Sequence, residues 1–175
     1  MANTYIKIAS VTVGSGGSGS MTFSSIPSTY TDLVIKASAR GTQASASHAF
    51  TLRFNGATTN YSSRELVGGG SGAPSSSTRT TLGSALYIGN IDGNSATAST
   101  FASTEIYIPN YAGSAYKSLS VDAVTENNAT EAYATLLAGL WSDTSAITSI
   151  DLISFAGHGT LVQYTTATLY GIKKN

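Results

Sequence analysis

Apolar and polar residues alternate one for one along much of this chain. Leu33, Ile35, Ala37 and Ala39 are separated by Val34, Lys36, Ser38 and Arg40, and Phe50, Leu52 and Phe54 by Thr51 and Arg53. Successive side chains of a strand point to opposite faces, so this period gives a strand one oily side and one wet side. The same reading predicts strands over 5–13, 32–40, 49–54, 61–67, 78–88, 100–108, 118–124, 147–155 and 161–172. Residues 132–141 also carry a helical spacing in Tyr133, Leu136, Leu137 and Leu140. The segment is short and its flanks are β, so a strand is expected there too. Ten or so strands without a long helix or an internal repeat predict an all-β fold, a two-sheet antiparallel β-sandwich formed as a single domain over 1–175.

The connections are Gly-, Ser- and Asn-rich. Gly14 to Gly19 predicts a hairpin joining 11–13 to 21–23, and Asn55-Gly56, which favours positive φ, predicts another returning through 61–67. The last two strands are expected to form a third hairpin. Exposed loops are expected near 14–20 and 68–77, the second being the tract GGGSGAPSSS. Pro27 and Pro109 mark corners, because proline cannot donate to a ladder.

Composition narrows the function classes. The hydrophobic share of 41% supports one core, while charged residues make up only 10%, well under the usual quarter. Hydroxyls replace them, with 27 Ser and 24 Thr. Nine basic residues balance nine acidic ones, so no cationic footprint for nucleic acid exists and self-repulsion is weak. There is no cysteine, which removes disulfide and thiolate chemistry. No apolar run approaches the roughly 20 residues of a membrane span, and the N-terminus lacks a leader pattern. Folding in a cytoplasm without membrane insertion is the expectation.

Candidate chemistry is sparse. His48 and His158 are the only histidines, too few for a multi-histidine metal site, and His158 lies between glycines in a turn. A Ser-His-Asp triad is imaginable in any serine-rich chain, but no G-x-S-x-G elbow is present. Residues 90–94 (Asn-Ile-Asp-Gly-Asn) superficially look like a calcium loop, without its repeated acids or distal glutamate, and read as a turn. Glu126 and Glu131 flank a polar loop and could serve as paired carboxylates in glycoside cleavage, or simply be solvated. Gly68-Gly69-Gly70 lacks the Lys-Ser/Thr of a phosphate cradle. Asn60-Tyr61-Ser62 and Asn128-Ala129-Thr130 match glycosylation acceptors, which matter only in a secretory pathway. No catalytic, cofactor-binding or metal-binding residue is assigned, and no cofactor is expected. Ten tyrosines against five phenylalanines suit either interfaces and sugar-facing surfaces or the rim of the core.

Several phrases resemble small structural proteins of tailed bacteriophages, particularly of cyanobacterial and marine hosts. They are Ile8-Ala-Ser-Val-Thr-Val-Gly14, Phe23-Ser-Ser-Ile-Pro-Ser-Thr-Tyr-Thr-Asp-Leu-Val34 followed by Ser38-Ala-Arg40, and Phe54-Asn-Gly56 before Tyr61-Ser62. Ile106-Tyr-Ile-Pro-Asn-Tyr111, Glu126-Asn-Asn-Ala-Thr130, Leu140-Trp141 and Leu169-Tyr-Gly-Ile172 extend the resemblance over nearly the whole chain. The resemblance implies a jelly-roll-like sandwich on the virion, with no catalytic residues to carry over. It further implies a non-enzymatic capsid decoration or cement protein, assembled in the host cytoplasm and exposed on the particle. Its expected partners are copies of itself, as a homotrimer, and the major capsid protein or tail and fibre proteins. The alternative is a tail-fibre or tail-associated protein that binds a host receptor or surface glycan.

Overall fold

The computed structural model describes residues 4–69, 75–80, 83–128, 131–155 and 159–173, with residues 75–80 described as backbone alone. Among them are twelve strands and no helix. In chain order the first six are β1 (Tyr5–Thr12), β2 (Ser20–Phe23), β3 (Asp32–Ala39), β4 (Ser47–Phe54), β5 (Tyr61–Gly68) and β6 (Ser75–Thr80). The others are β7 (Leu86–Asp92), β8 (Ala102–Pro109), β9 (Lys117–Thr125), β10 (Tyr133–Trp141), β11 (Ile150–Ser154) and β12 (Thr166–Ile172). An eight-stranded sheet runs β1-β12-β3-β8-β9-β10-β5-β6, and a four-stranded sheet runs β2-β11-β4-β7. All strand pairs are antiparallel. The all-β, two-sheet antiparallel sandwich is therefore what forms.

The alternation carries the core. On the large sheet, Leu169, Ile35, Ile106, Val121 and Leu137 sit side by side on five successive strands, none more than 1% exposed. On the small sheet, Met21, Leu152, Leu52 and Leu86 form the facing row, again at 1% or less. The next row on that sheet holds Phe23, Ile150 and Phe54. Phe54 meets Trp141 of the large sheet at a centroid distance of 5.5 Å, and Tyr61 stacks on the same indole at 6.4 Å.

Two contacts fix how closely the sheets approach. Gly89 in β7 has φ +106°, and a Cβ there would lie 2.7 Å from the Ala123 methyl of β9. A Cβ on Gly139 of β10 would lie 2.8 Å from Leu86 of β7. The edge of the small sheet is thus pressed onto β9 and β10, which only small residues permit.

The three expected hairpins do not form. β1 pairs with β12, while β2 lies in the other sheet. β4 pairs with β11 and β7, and β5 with β10 and β6. β11 and β12 belong to different sheets. The turn at Asn55-Gly56 is real, with φ of +52° and +68°. The Asn55 amide then ties it elsewhere, donating to the Ala146 carbonyl at 2.8 Å and accepting from the Thr148 and Ser149 amides at 2.8 and 3.1 Å. A turn motif dictates reversal of the chain, whereas the sheet it joins depends on which apolar face needs covering. The expected loop over 68–77 is shorter as well, since β5 runs to Gly68 and β6 starts at Ser75.

The loop ends are held by side chains. Lys117, 1% exposed, donates to the carbonyls of Gly113, Ala115 and Thr144, and burial lowers its pKa. Charge-assisted bonds to three carbonyls compensate much of the cost of desolvating the ammonium.

Gly89→Ala combines positive-φ strain with the Ala123 clash. It should cost about 2–4 kcal/mol and lower Tm by roughly 5–15 °C in a thermal unfolding scan. Adding Ala123→Gly should recover only the part due to the clash. Burial also raises the pKa of Tyr61, Tyr87 and Tyr111 above the ordinary value of 10.0. Their neutral forms are favoured in the fold, so this contribution is intact below pH 10 and is lost as pH rises beyond it. Lys117, shifted the other way, opposes this loss. Denaturant midpoints measured from pH 8 to about 12 should hold and then fall, and tyrosinate absorbance from the buried rings should appear only with unfolding.

Candidate functional site

The residues with the most chemistry in the sequence are absorbed by the scaffold. His48 of β4 and Ser154 of β11 are 1% and 4% exposed, and His48 Nε2 lies 2.9 Å from Ser154 Oγ. The Ser154 hydroxyl donates to the Gly159 carbonyl at 2.7 Å, so the imidazole N–H donates to the serine oxygen. That is the reverse of a serine activated by a base, which must give its proton to histidine. The Gly41 backbone closes the site, since a Cβ there would lie 2.3 Å from His48 Nδ1. His158 lies outside the described residues.

The calcium-like segment is half strand and half turn. Asn90 to Asp92 belong to β7, and Asp92 is fully buried. Its carboxylate accepts from Asn127 Nδ2 at 3.0 Å, and its backbone carbonyl accepts from the Gly41 amide at 2.8 Å. Arg40 beside it spends its guanidinium on the carbonyls of Ala96, Thr97 and Thr100 at 2.8–3.0 Å. A Cβ on Gly93 would lie 2.2 Å from the Ser45 carbonyl, so the turn is closed by backbone. Among the described residues no three acids or histidines gather in a way that could hold a metal.

Glu126 and Glu131 hold separate sets of hydrogen bonds. Glu126 accepts from the Asn128 amide at 2.8 Å, a local turn contact. Glu131 accepts from Tyr133 Oη at 2.6 Å and Ser47 Oγ at 2.9 Å, which fastens its loop to β4. The perturbed carboxylate is instead Glu65, which follows Leu137 in the inward row of the large sheet. Burial raises its pKa, and its Oε2 has no hydrogen-bond partner. Burial of Tyr87, and after it the Glu65 charge, push the pKa of the Tyr87 hydroxyl up. The clue was available, because Tyr61, Ser63, Glu65 and Val67 share one parity and Tyr61 points inward. Gly68 and Gly69 continue or follow β5 and open no helix, and Gly70 lies outside the described residues, as do Ala129 and Thr130 of the second glycosylation motif.

The outer face of the large sheet divides into two regions. Over β1, β12, β3 and β8, Tyr5 meets Tyr170 edge to face at 6.2 Å. Tyr107 donates to Asp32 at 2.9 Å. Tyr170 and Tyr107 flank Val34, which is 1% exposed although it points outward. Lys36 and Glu105 pair at 2.7 Å beside them. Along that same row the residues become Asp122, Leu136 and Leu66, and the adjoining row runs Val124, Ala134, Gly68. Leu66, Leu136 and Val124 are 55%, 60% and 40% exposed. Shallow troughs of about 410 and 380 Å³ lie along Gly68 and Ala134.

Because Ser154 gives its proton to a carbonyl inside the core, a fluorophosphonate should leave the protein unlabelled by intact-mass measurement. An adduct at Ser154 would show that the site opens.

No protein-family model, no curated protein and no solved structure matches this chain.

Proposed function

We propose that this chain is a non-enzymatic structural protein of a bacteriophage particle, a decoration or cement protein on the capsid exterior. The strand order carries the reading. With β5, β6, β9 and β10 set aside, the sheets run β1-β12-β3-β8 and β2-β11-β4-β7, pairing first with last, second with next to last, and inward. That nesting supports a jelly roll, an arrangement recurrent in viral capsid and lectin domains. The two remaining pairs are insertions that widen one sheet. Buried serine, histidine, arginine and aspartate serve the scaffold, in keeping with a role in attachment. Stability without a disulfide suits a particle component made in a reducing cytoplasm.

One observation favours a second reading, a receptor- or glycan-binding protein of the tail or its fibres. Tyr5, Tyr107 and Tyr170 sit beside Asp32 and the Lys36–Glu105 pair on the outer face, offering aromatic surface next to polar groups, as sugars require.

Quantitative mass spectrometry of purified particles decides between them. The decoration reading expects tens to hundreds of copies in proportion to the major capsid protein. A few copies, confined to isolated tails, reject it. The second reading expects the isolated protein to bind susceptible cells or lipopolysaccharide, with the double variant Y5A/Y107A weakening binding at least tenfold and leaving Tm unchanged.

A further inference from the structure

The geometry points to a second copy of this chain as the occupant of the apolar region on β5, β9 and β10, through a two-fold, face-to-face contact. The relief of the face favours it whatever the particle the protein belongs to. Leu66 and Leu136, cross-strand partners, form a ridge over half exposed to solvent. Gly68 and Ala134, two residues along on the same strands and paired with each other, form a groove of equal length beside it. A two-fold axis in the plane of the contact, perpendicular to the strands and between these rows, lays each leucine ridge in the other copy's groove. Leu66 then faces Gly68 and Leu136 faces Ala134, both ways round, which is the self-complementarity an isologous contact needs. Leucines over glycine and alanine fit the roughly 10 Å spacing at which sheets stack.

Charge follows the same operation. Arg64 lies one row beyond Leu66, and Glu126 lies two residues past Val124, beyond the groove. The rotation keeps each strand over its own copy, so Arg64 of β5 reaches the row of the other copy's Glu126 two strands, roughly 10 Å, to the side, and attracts it only at long range. Asp122, beside Leu136, falls over Val124, roughly 7 Å along the strand from the other copy's Glu126, and offsets that attraction. With nine cations and nine anions the chain has no net charge to hold two copies apart.

Size sets the strength. The twelve outward positions of the three strands each cover about 33 Å² of sheet plane, so two copies cover roughly 800 Å² before relief is counted. That is the low end for specific interfaces, where association is weak. The contact is a dimer, unlike the trimer expected from the resemblance, and it leaves the outer face of the small sheet free for other partners.

Sedimentation velocity on the full chain tests this from about 1 to 200 µM, a range suited to a weak interface. Wild type should pass from monomer to dimer within it. The double variant L66D/L136D should stay monomeric throughout at a lowered Tm, since its carboxylates face each other beside Asp122, and L66T/L136T, which adds no charge, should stay monomeric with Tm unchanged. A134L adds apolar surface but fills the groove, so it should shift the dimer midpoint to at least tenfold higher concentration. A merely sticky patch would instead associate more. A wild type that stays monomeric at the top of the range, a trimer, a dimer surviving L66D/L136D, or tighter association of A134L each overturns the proposal. None of these outcomes bears on copy number in particles, so the two proposals fail separately.

Discussion

The structure depends on two pleated sheets sharing one dry interior along strands whose side chains alternate with period two. A register slip of one residue would turn every inward leucine of a strand to water and every serine to the core, so register is held by the hydrophobic effect itself. The row from Leu169 to Leu137 shows the constraint at work. Five strands contribute five aliphatic side chains at one level, and the sixth position is Glu65, a polar side chain on the inward row. Gly89 on Ala123 and Gly139 under Leu86 mark the points where the sheets come closest.

Sheets held in this way still leave loop carbonyls without ladder partners, and a chain without cysteine needs other fasteners. Arg40 gathers three carbonyls of the 96–100 loop, Lys117 gathers three more across two loops, and Asn55 joins the turn after β4 to the segment before β11. Each replaces water on buried backbone groups, and removing one side chain would strand the groups it serves. The same logic places His48, Ser154, Asp92 and Glu131 in hydrogen bonds that tie strands and loops together.

The insertion of β5, β6, β9 and β10 widens one sheet beyond what the small sheet covers, and its outer face changes from tyrosine and ion pair to leucine and valine. β1 and β12 carry Ser10, Thr12, Thr166 and Thr168 outward beside Tyr5, Lys7, Tyr170 and Ile172.

The alternation of residues 32–40, 49–54 and 118–124 predicts strands that exist, and even the ambiguous 132–141 is β10. Local pattern suffices there because side-chain parity is a property of the strand itself. Sheet membership was not legible. Asn55-Gly56 and the glycines of 14–19 specify a bend, and the hairpins they imply give way to pairings such as β4 with β7 and β1 with β12, whose partners are remote in sequence. The candidate residues show the same limit. Asp92 in a turn-like pentapeptide and Glu65 in an ordinary strand look alike as letters, and only packing makes the first a buried strand end and the second a desolvated acid. The sequence by itself decided which residues face inward, because that follows from a two-residue period. The tertiary structure alone decided which strands lie side by side and which outward leucines adjoin a groove, because those depend on chain crossings that no local period records.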